Sequence, residues 1–158
     1  MTVAFRDDRD DPSLSDVDLA ELERLAVAML RAEGLPDSVD VAVALVDEAP
    51  MAELNSAHLG KPGPTDVLSF PLEPLSPGVV PTSAPGGPPV DLGDIFICPE
   101  VVASNAAAAA VRFRDEMALM VVHGLLHLLG YDHVVDSEAE QMEQRERDLL
   151  AVIGRTRP

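Results

Sequence analysis

Apolar residues recur first at helical spacing and then at strand spacing near the start of the chain. The helical stretch is expected to begin at Ser15 as N-cap, with Asp18 three residues on as a negative charge near the helix start. Its apolar positions form one stripe: Leu19, Leu22, Ala26, Met29 and Leu30. Gly34 ends this helix, and the β-branched run at residues 39–46 predicts a strand. With a short strand at residues 2–5, the chain opens in a β-α-β pattern.

The rest of the chain continues in the same manner. Its predicted elements are a helix at residues 48–59, strands at 66–70 and 92–98, and helices at 99–110, 115–129 and 137–153. Gly60 ends the first of these helices, and Ser137 and Glu140 have the spacing of a capping box at the start of the last. Together the elements predict an α+β fold, a small mixed β-sheet of about four strands with helices packed mainly on one side.

Residues 71–91 separate two predicted strands and hold half of the chain's 14 prolines. Proline cannot donate the hydrogen bond of a central strand, so we expect a long, exposed and partly mobile loop. Few of its residues are charged or aromatic, which favours a tolerated insertion over a functional lid. A chain of 158 residues with 47% hydrophobic content predicts one domain, residues 1–158, that includes this loop.

The composition indicates a soluble, cytoplasmic protein with no membrane partner. No run approaches the roughly 18 to 20 apolar residues of a membrane span, and the acidic N-terminus does not look like a signal peptide. The single cysteine, Cys98, has no disulfide partner within the chain, and its apolar neighbours favour a buried residue over a reactive thiol. The formal net charge of -17 opposes nonspecific binding to polyanions, so any contact with RNA must be local.

Three of the four histidines fall within the segment HGLLHLLGYDH, residues 123–133. Residues four apart on a helix differ by about 40° in direction, so His123 and His127 project from one face and can bind a common ion. Gly130 is placed to end the helix in a left-handed conformation, after which the chain can bring His133 to the same point. The alternative is that these histidines are core residues, or that they bind metal only during purification.

Three imidazoles leave one position of a tetrahedral zinc ion open for water or substrate, which is typical of a catalytic site. We therefore predict one Zn²⁺ per chain, with His123, His127 and His133 acting in catalysis through a metal-bound water. Imidazole also suits copper, nickel and iron, so the preference for zinc depends on geometry and cellular prevalence. Asp132 and Glu116 are the candidate hydrogen-bond partners for the ring nitrogens that do not bind the metal. The alternative for Glu116 is a solvated acid in the first turn of the helix.

The spacing of the histidines occurs in two classes of enzyme. In the metzincin proteases a glutamate follows the first histidine as general base, whereas Gly124 follows it here and has no side chain to carry a proton. A metzincin-like protease is therefore the least favoured function.

With glycine at that position, HGLLHLLGYDH resembles the signature of the YbeY family of bacterial endoribonucleases that mature ribosomal RNA. Three further segments look like that family's in the same order, LNSAHLGKPGPTDVLSFP at 54–71, LGDIFICPE at 92–100 and DSEAEQME at 136–143. The resemblance implies zinc held by the three histidines. It also implies metal-dependent cleavage of single-stranded RNA, the 16S ribosomal RNA precursor, during 3′-end maturation and ribosome quality control.

The chain departs from the family pattern at two neighbouring positions. The family usually has an arginine before the Gly-Lys pair, and this chain has Leu59 there, preceded by His58 in place of a tyrosine. If that arginine neutralises a phosphate, another cation must replace it, and Lys61 and Arg112 are the candidate substrate-binding residues.

A second hypothesis is a zinc-containing ribosome-assembly factor that acts mainly by binding proteins. Its candidate partners are a small-subunit ribosomal protein and an assembly GTPase, because an acidic surface suits basic proteins better than RNA.

Overall fold

A four-stranded mixed sheet forms the centre of the computed structural model, which describes residues 1–12 and 16–158. The strands are β1 (Thr2–Asp7), β2 (Val39–Leu45), β3 (Val67–Pro71) and β4 (Val90–Ile97). Their order across the sheet is β1-β2-β4-β3, in which β1, β2 and β4 run parallel and β3 runs antiparallel to β4. The predicted α+β class and the small mixed sheet are confirmed.

Helices cover the two faces of the sheet unequally. They are α1 (Leu19–Ala32), α2 (Glu48–Leu59), α3 (Pro99–Ala109), α4 (Phe113–Leu128) and α5 (Asp136–Val152). Val41, Val43 and Leu45 of β2 join the main hydrophobic core with residues from α1, α4 and α5. On the opposite face Ala44 belongs to a small cluster with Met51 of α2. The alternation of side chains along β2 thus assigns three helices to one face and α2 to the other, as predicted.

Two predicted helix starts differ from the structure. Ser15 lies outside the described residues, and α1 begins at Leu19, where the Asp18 carboxylate accepts a hydrogen bond from the Glu21 N–H at 3.0 Å. The predicted capping box of α5 is wrong, because Ser137 lies inside the helix and the N-cap is Val135, which has no capping side chain. The acidic first turn of α5 places negative charge at the positive end of the helix instead.

The proline-rich connection between β3 and β4 is mostly exposed but has fixed contacts. Its predicted bounds of 71–91 shorten to 72–89, because Pro71 ends β3 and residues 90–91 begin β4. Leu75 packs against the main core, and the hydroxyls of Ser83 and Ser38 are 2.8 Å apart. These contacts hold the loop against the domain at two places. No helix in the described part of the chain is both long and apolar enough to cross a membrane.

Gly130 ends α4 and meets this loop. Its φ of 94° is left-handed, as predicted, and the next N–H, of Tyr131, donates to the Leu126 carbonyl at 3.0 Å. A Cβ at Gly130 would lie only 2.1 Å from the Leu75 carbonyl oxygen. The turn that leads to His133 therefore needs glycine both for its backbone conformation and for the close approach of the loop.

We predict that Gly130→Ala destabilises the protein more than Gly34→Ala does. Gly34 also has a positive φ, of 82°, but a Cβ there would meet nothing within 4 Å. Gly34→Ala should therefore cost about 1 kcal/mol of backbone strain, and Gly130→Ala about 3 kcal/mol or more because the loop must also shift. Urea unfolding of both variants measures the difference, and equal losses would contradict the contact with Leu75.

Candidate metal centre

The structure brings together the three histidines that the sequence predicted as metal ligands. His123 and His127 project from one face of α4, and their Nε2 atoms are 3.1 Å apart. The ring of His133 follows the turn and has its centroid 5.0 Å from that of His127 and 5.5 Å from that of His123. Each residue offers a ring nitrogen within 4.8 Å of the others. The cluster has the dimensions of a site for one metal ion.

Packing against the sheet fixes the part of α4 that carries the histidines. Ser69 of β3 donates a hydrogen bond from its hydroxyl to the Gly124 carbonyl at 2.9 Å. A Cβ at Gly124 would lie 3.0 Å from Ile95 Cγ2 and 3.3 Å from Ser69 Oγ. The helix therefore lies against β3 and β4 at this glycine, and a larger residue there would require Ile95 or Ser69 to shift by a few tenths of an ångström.

Hydrogen bonds at Nδ1 orient two of the imidazoles. His123 Nδ1 is 2.8 Å from the Glu146 carboxylate of α5, and His127 Nδ1 is 3.0 Å from the Tyr131 carbonyl oxygen. Because both partners are acceptors, each Nδ1 carries the proton and donates it. Each Nε2 then presents its lone pair to the space between the histidines. This arrangement is the usual outer hydrogen bonding of metal-binding histidines.

The spacing of the two Nε2 atoms fits a bound metal ion. With both Nδ1 protons donated outward, these nitrogens face one another at 3.1 Å, and either a proton or a metal ion between them relieves the repulsion of their lone pairs. Tetrahedral zinc with bonds of about 2.0–2.1 Å to nitrogen would hold two such ligands about 3.3 Å apart. The observed separation is close to that value, so the donor set suits zinc.

Burial keeps His127 in the state that binds a cation. Burial, and then the neighbouring imidazoles of His123 and His133, lower the pKa of His127 to about 4, so this ring is neutral at neutral pH. Burial opposes ionisation of Glu146, but hydrogen bonds from His123 and Arg157 outweigh it and hold its pKa below the usual value. Glu146 is only 1% exposed, which makes it a buried carboxylate with two partners.

The histidines line a cavity of about 640 Å³. Lys61 also lines it, together with the acids Asp66 and Asp132 and the apolar side chains of Leu59 and Tyr131. Lys61 is the one lysine or arginine among the lining residues, and its ammonium is exposed. The cavity is therefore large enough for part of a ligand and offers one cation beside the cluster.

The other residues singled out in the sequence lie in different places. Asp132 accepts a hydrogen bond from the backbone N–H of His133 at 2.7 Å rather than from an imidazole. Glu116 faces Asp66, and burial followed by repulsion from that carboxylate raises the pKa of Glu116. Arg112 lines a second cavity and pairs with Asp115 at 2.9 Å, so its placement does not support a role in binding substrate beside Lys61.

The imidazole partner that sequence reasoning missed is Glu146. It lies 23 residues after His123, in a helix with many exposed acids, so nothing local connects the two. One signal was available. Glu146 occupies a position in the apolar stripe of α5, between the buried Met142 and Leu149, where a carboxylate needs a buried partner.

We predict that metal-free protein loses stability as the pH falls from about 6.5 to about 4, in part through His127. The pKa of this ring is lower in the folded state, so the unfolded chain takes up the proton first; the stabilisation is complete above pH 6.5. The ring is partly exposed, so the loss should be about 2 kcal/mol. The loss is measured by comparing the pH dependence of the free energy of unfolding for wild type and His127→Leu, both in the presence of a chelator. Parallel pH profiles for the two proteins would contradict the prediction.

Comparison with known proteins agrees with the resemblance seen in HGLLHLLGYDH. A family model described as endoribonuclease YbeY matches residues 6–154. Relatives of that name include a Mycolicibacterium gilvum protein, 42% identical over 86% of this chain and 77% of its own length. One from Alteromonas mediterranea is 46% identical over 88% of this chain and 82% of its own length.

A solved structure is similar as well. The solution structure of a Thermotoga maritima protein superposes with a TM-score of 0.58 at 28% identity, over 94% of this chain and 89% of that one. The family match over most of the sequence, the identities of the relatives and the shared fold show that this chain belongs to the endoribonuclease YbeY family.

Proposed function

We propose that this protein is a zinc-dependent endoribonuclease that cleaves single-stranded RNA in 16S ribosomal RNA 3′-end maturation and ribosome quality control. It would act in the cytoplasm as one domain, residues 1–158, with the loop between β3 and β4, residues 72–89, as an insertion. The observation that carries the proposal is the cluster of His123, His127 and His133 at the wall of a cavity of about 640 Å³. Membership of an endoribonuclease family supports RNA as the substrate.

The chain's own residues would divide the work as follows. The three histidines would hold zinc. As a Lewis acid, zinc would stabilise the negative charge that develops on phosphate oxygens. Glu146 and the Tyr131 carbonyl would keep the Nδ1 protons of two ligands in place, so that their Nε2 lone pairs stay directed at the ion. Lys61 would contact a phosphate of the substrate.

The walls of the cavity support a single-stranded substrate. Leu59 is 50% exposed at the cavity, and Tyr131 and Pro71 add apolar surface to its lining. Unstacked bases bind to such surface, whereas the paired bases of a duplex stay stacked on one another. Gly124 argues against a metzincin-like peptidase mechanism, because glycine supplies no general base after His123.

We predict that His127→Ala loses both its zinc and its nuclease activity. The measurements are metal content by mass spectrometry on tag-free protein, and cleavage of a labelled RNA carrying a 16S 3′ precursor sequence. His123→Ala should also lose zinc, whereas His58→Ala should keep it, because His58 packs on Phe70 outside the three-histidine cluster. Cleavage by fully metal-free wild type would contradict metal dependence.

We predict that Lys61→Ala raises KM about ten-fold with little change in kcat, because one charge-assisted contact to phosphate is lost. The slope of the logarithm of the RNA-binding constant against the logarithm of salt concentration should also become shallower by about one unit. Lys61→Arg should restore most of the affinity. Arg112→Ala is the matched control and should leave KM unchanged, since Arg112 lies at another cavity. An equal rise in KM for both alanine variants would contradict a specific contact at Lys61.

A second candidate function is a zinc-containing assembly factor that binds a small-subunit ribosomal protein or an assembly GTPase. The observation that favours this function is the net charge of -17, together with a cavity lined by two acids, Asp66 and Asp132, and a single lysine. Cells whose only copy is His127→Ala distinguish the two functions. Normal 16S maturation in those cells would favour protein binding, whereas accumulation of uncleaved precursor would favour the nuclease.

A further inference from the structure

We infer that Arg157 is a positioning residue for the metal site, because it acts through Glu146 on the orientation of His123. This inference rests on the metal site of the proposed function. The family match ends at residue 154, so the segment of residues 155–158, which includes Arg157, lies beyond it. The inference therefore concerns a feature of this chain rather than of the family pattern.

A continuous set of contacts joins Arg157 to the metal cluster. Arg157 Nε donates to Glu146 Oε2 at 2.7 Å, and Glu146 Oε1 accepts from His123 Nδ1 at 2.8 Å. The two oxygens of one carboxylate are therefore used by two different partners. The side chain of Glu146 is 2% exposed and that of Arg157 is 27% exposed, so the carboxylate is buried and the guanidinium lies at the edge of the interior.

The guanidinium fixes the carboxylate in two ways. A buried carboxylate with a single partner can rotate about its last torsion, and it retains an uncompensated charge. Arg157 removes both problems, because it occupies the second oxygen and neutralises the charge. Glu146 is then held with Oε1 towards His123, and the His123 ring is held with Nε2 towards the other ligands. Without Arg157 this ring should sample other orientations.

The segment is attached independently of Arg157. After the left-handed Gly154, the N–H of Arg155 donates to the Leu150 carbonyl at 2.8 Å. The Arg155 guanidinium pairs with Asp115 at 3.0 Å and also with Glu21. Arg155 therefore anchors the segment to α1 and α4, whereas Arg157 contacts α5 at the residue that bonds His123. This difference makes Arg155 a matched control, two residues away and likewise in ion pairs.

The test is zinc affinity, measured by competition with a chromophoric chelator, together with the visible spectrum of the Co²⁺-substituted protein. Replacement of a direct partner of a metal ligand lowers affinity about 10- to 100-fold, which is the expected range for Glu146→Gln. Arg157→Ala should lower it about ten-fold and alter the Co²⁺ bands, and Arg157→Lys should restore part of the loss. Arg155→Ala should lower the midpoint of thermal unfolding and leave affinity and spectrum as in the wild type.

The double variant Glu146→Gln/Arg157→Ala tests the route of the effect. If Arg157 acts through Glu146, the double variant binds zinc no more weakly than Glu146→Gln alone. Additive losses, equal losses in Arg155→Ala and Arg157→Ala, or unchanged affinity in Arg157→Ala would each overturn the inference. Tight zinc binding without RNA cleavage would overturn the proposed function and leave this inference standing. Absence of zinc binding in the wild type would overturn both.

Discussion

The packing of α4 into the sheet is the constraint on which the rest of the site depends. Ten residues of this helix are buried, and at Gly124 its backbone packs closely against Ile95 and Ser69. A helix held in this way cannot rotate without opening the core, so the two histidines on its free face keep fixed directions. At this contact a glycine rather than a glutamate follows His123, which separates this site from a metzincin that shares its histidine spacing.

The cluster depends on buried hydrogen bonds as much as on its own three residues. Glu146 reaches His123 from α5, and the turn after Gly130 returns the Tyr131 carbonyl to His127. These acceptors come from the main chain of the turn and from a second helix, so the correct directions of the ring nitrogens require the assembled domain. Such outer contacts fix the tautomer of each ligand and thereby the position at which a cation is bound.

Charge sets a second limit on function. A net charge of -17 disfavours a long contact with a polyanion, and the cavity beside the histidines carries a single lysine. Leu59 adds apolar surface to the same cavity. Recognition of RNA would therefore depend on local contacts, namely the ion, one ammonium group and apolar surface for unstacked bases.

The sequence by itself determined the local elements and the identity of the metal cluster. The helix at 48–59 was predicted with its observed bounds, as were the left-handed Gly130 and the convergence of the three histidines. These features follow from periodicity, glycine conformation and spacing within eleven residues, all of which are local. The capping box at Ser137 failed because the path of the chain after His133, rather than the side chain itself, decides where α5 begins.

Only the tertiary structure decided which distant residues serve the cluster. Glu146 and Arg157 lie far along the chain from His123, and Arg112, which the sequence offered as a substrate contact, lies at another cavity. The sequence around a charged residue does not indicate its partner, because the partner depends on which helices pack together. The sequence could therefore specify the three histidines of the cluster but not the groups that orient their rings.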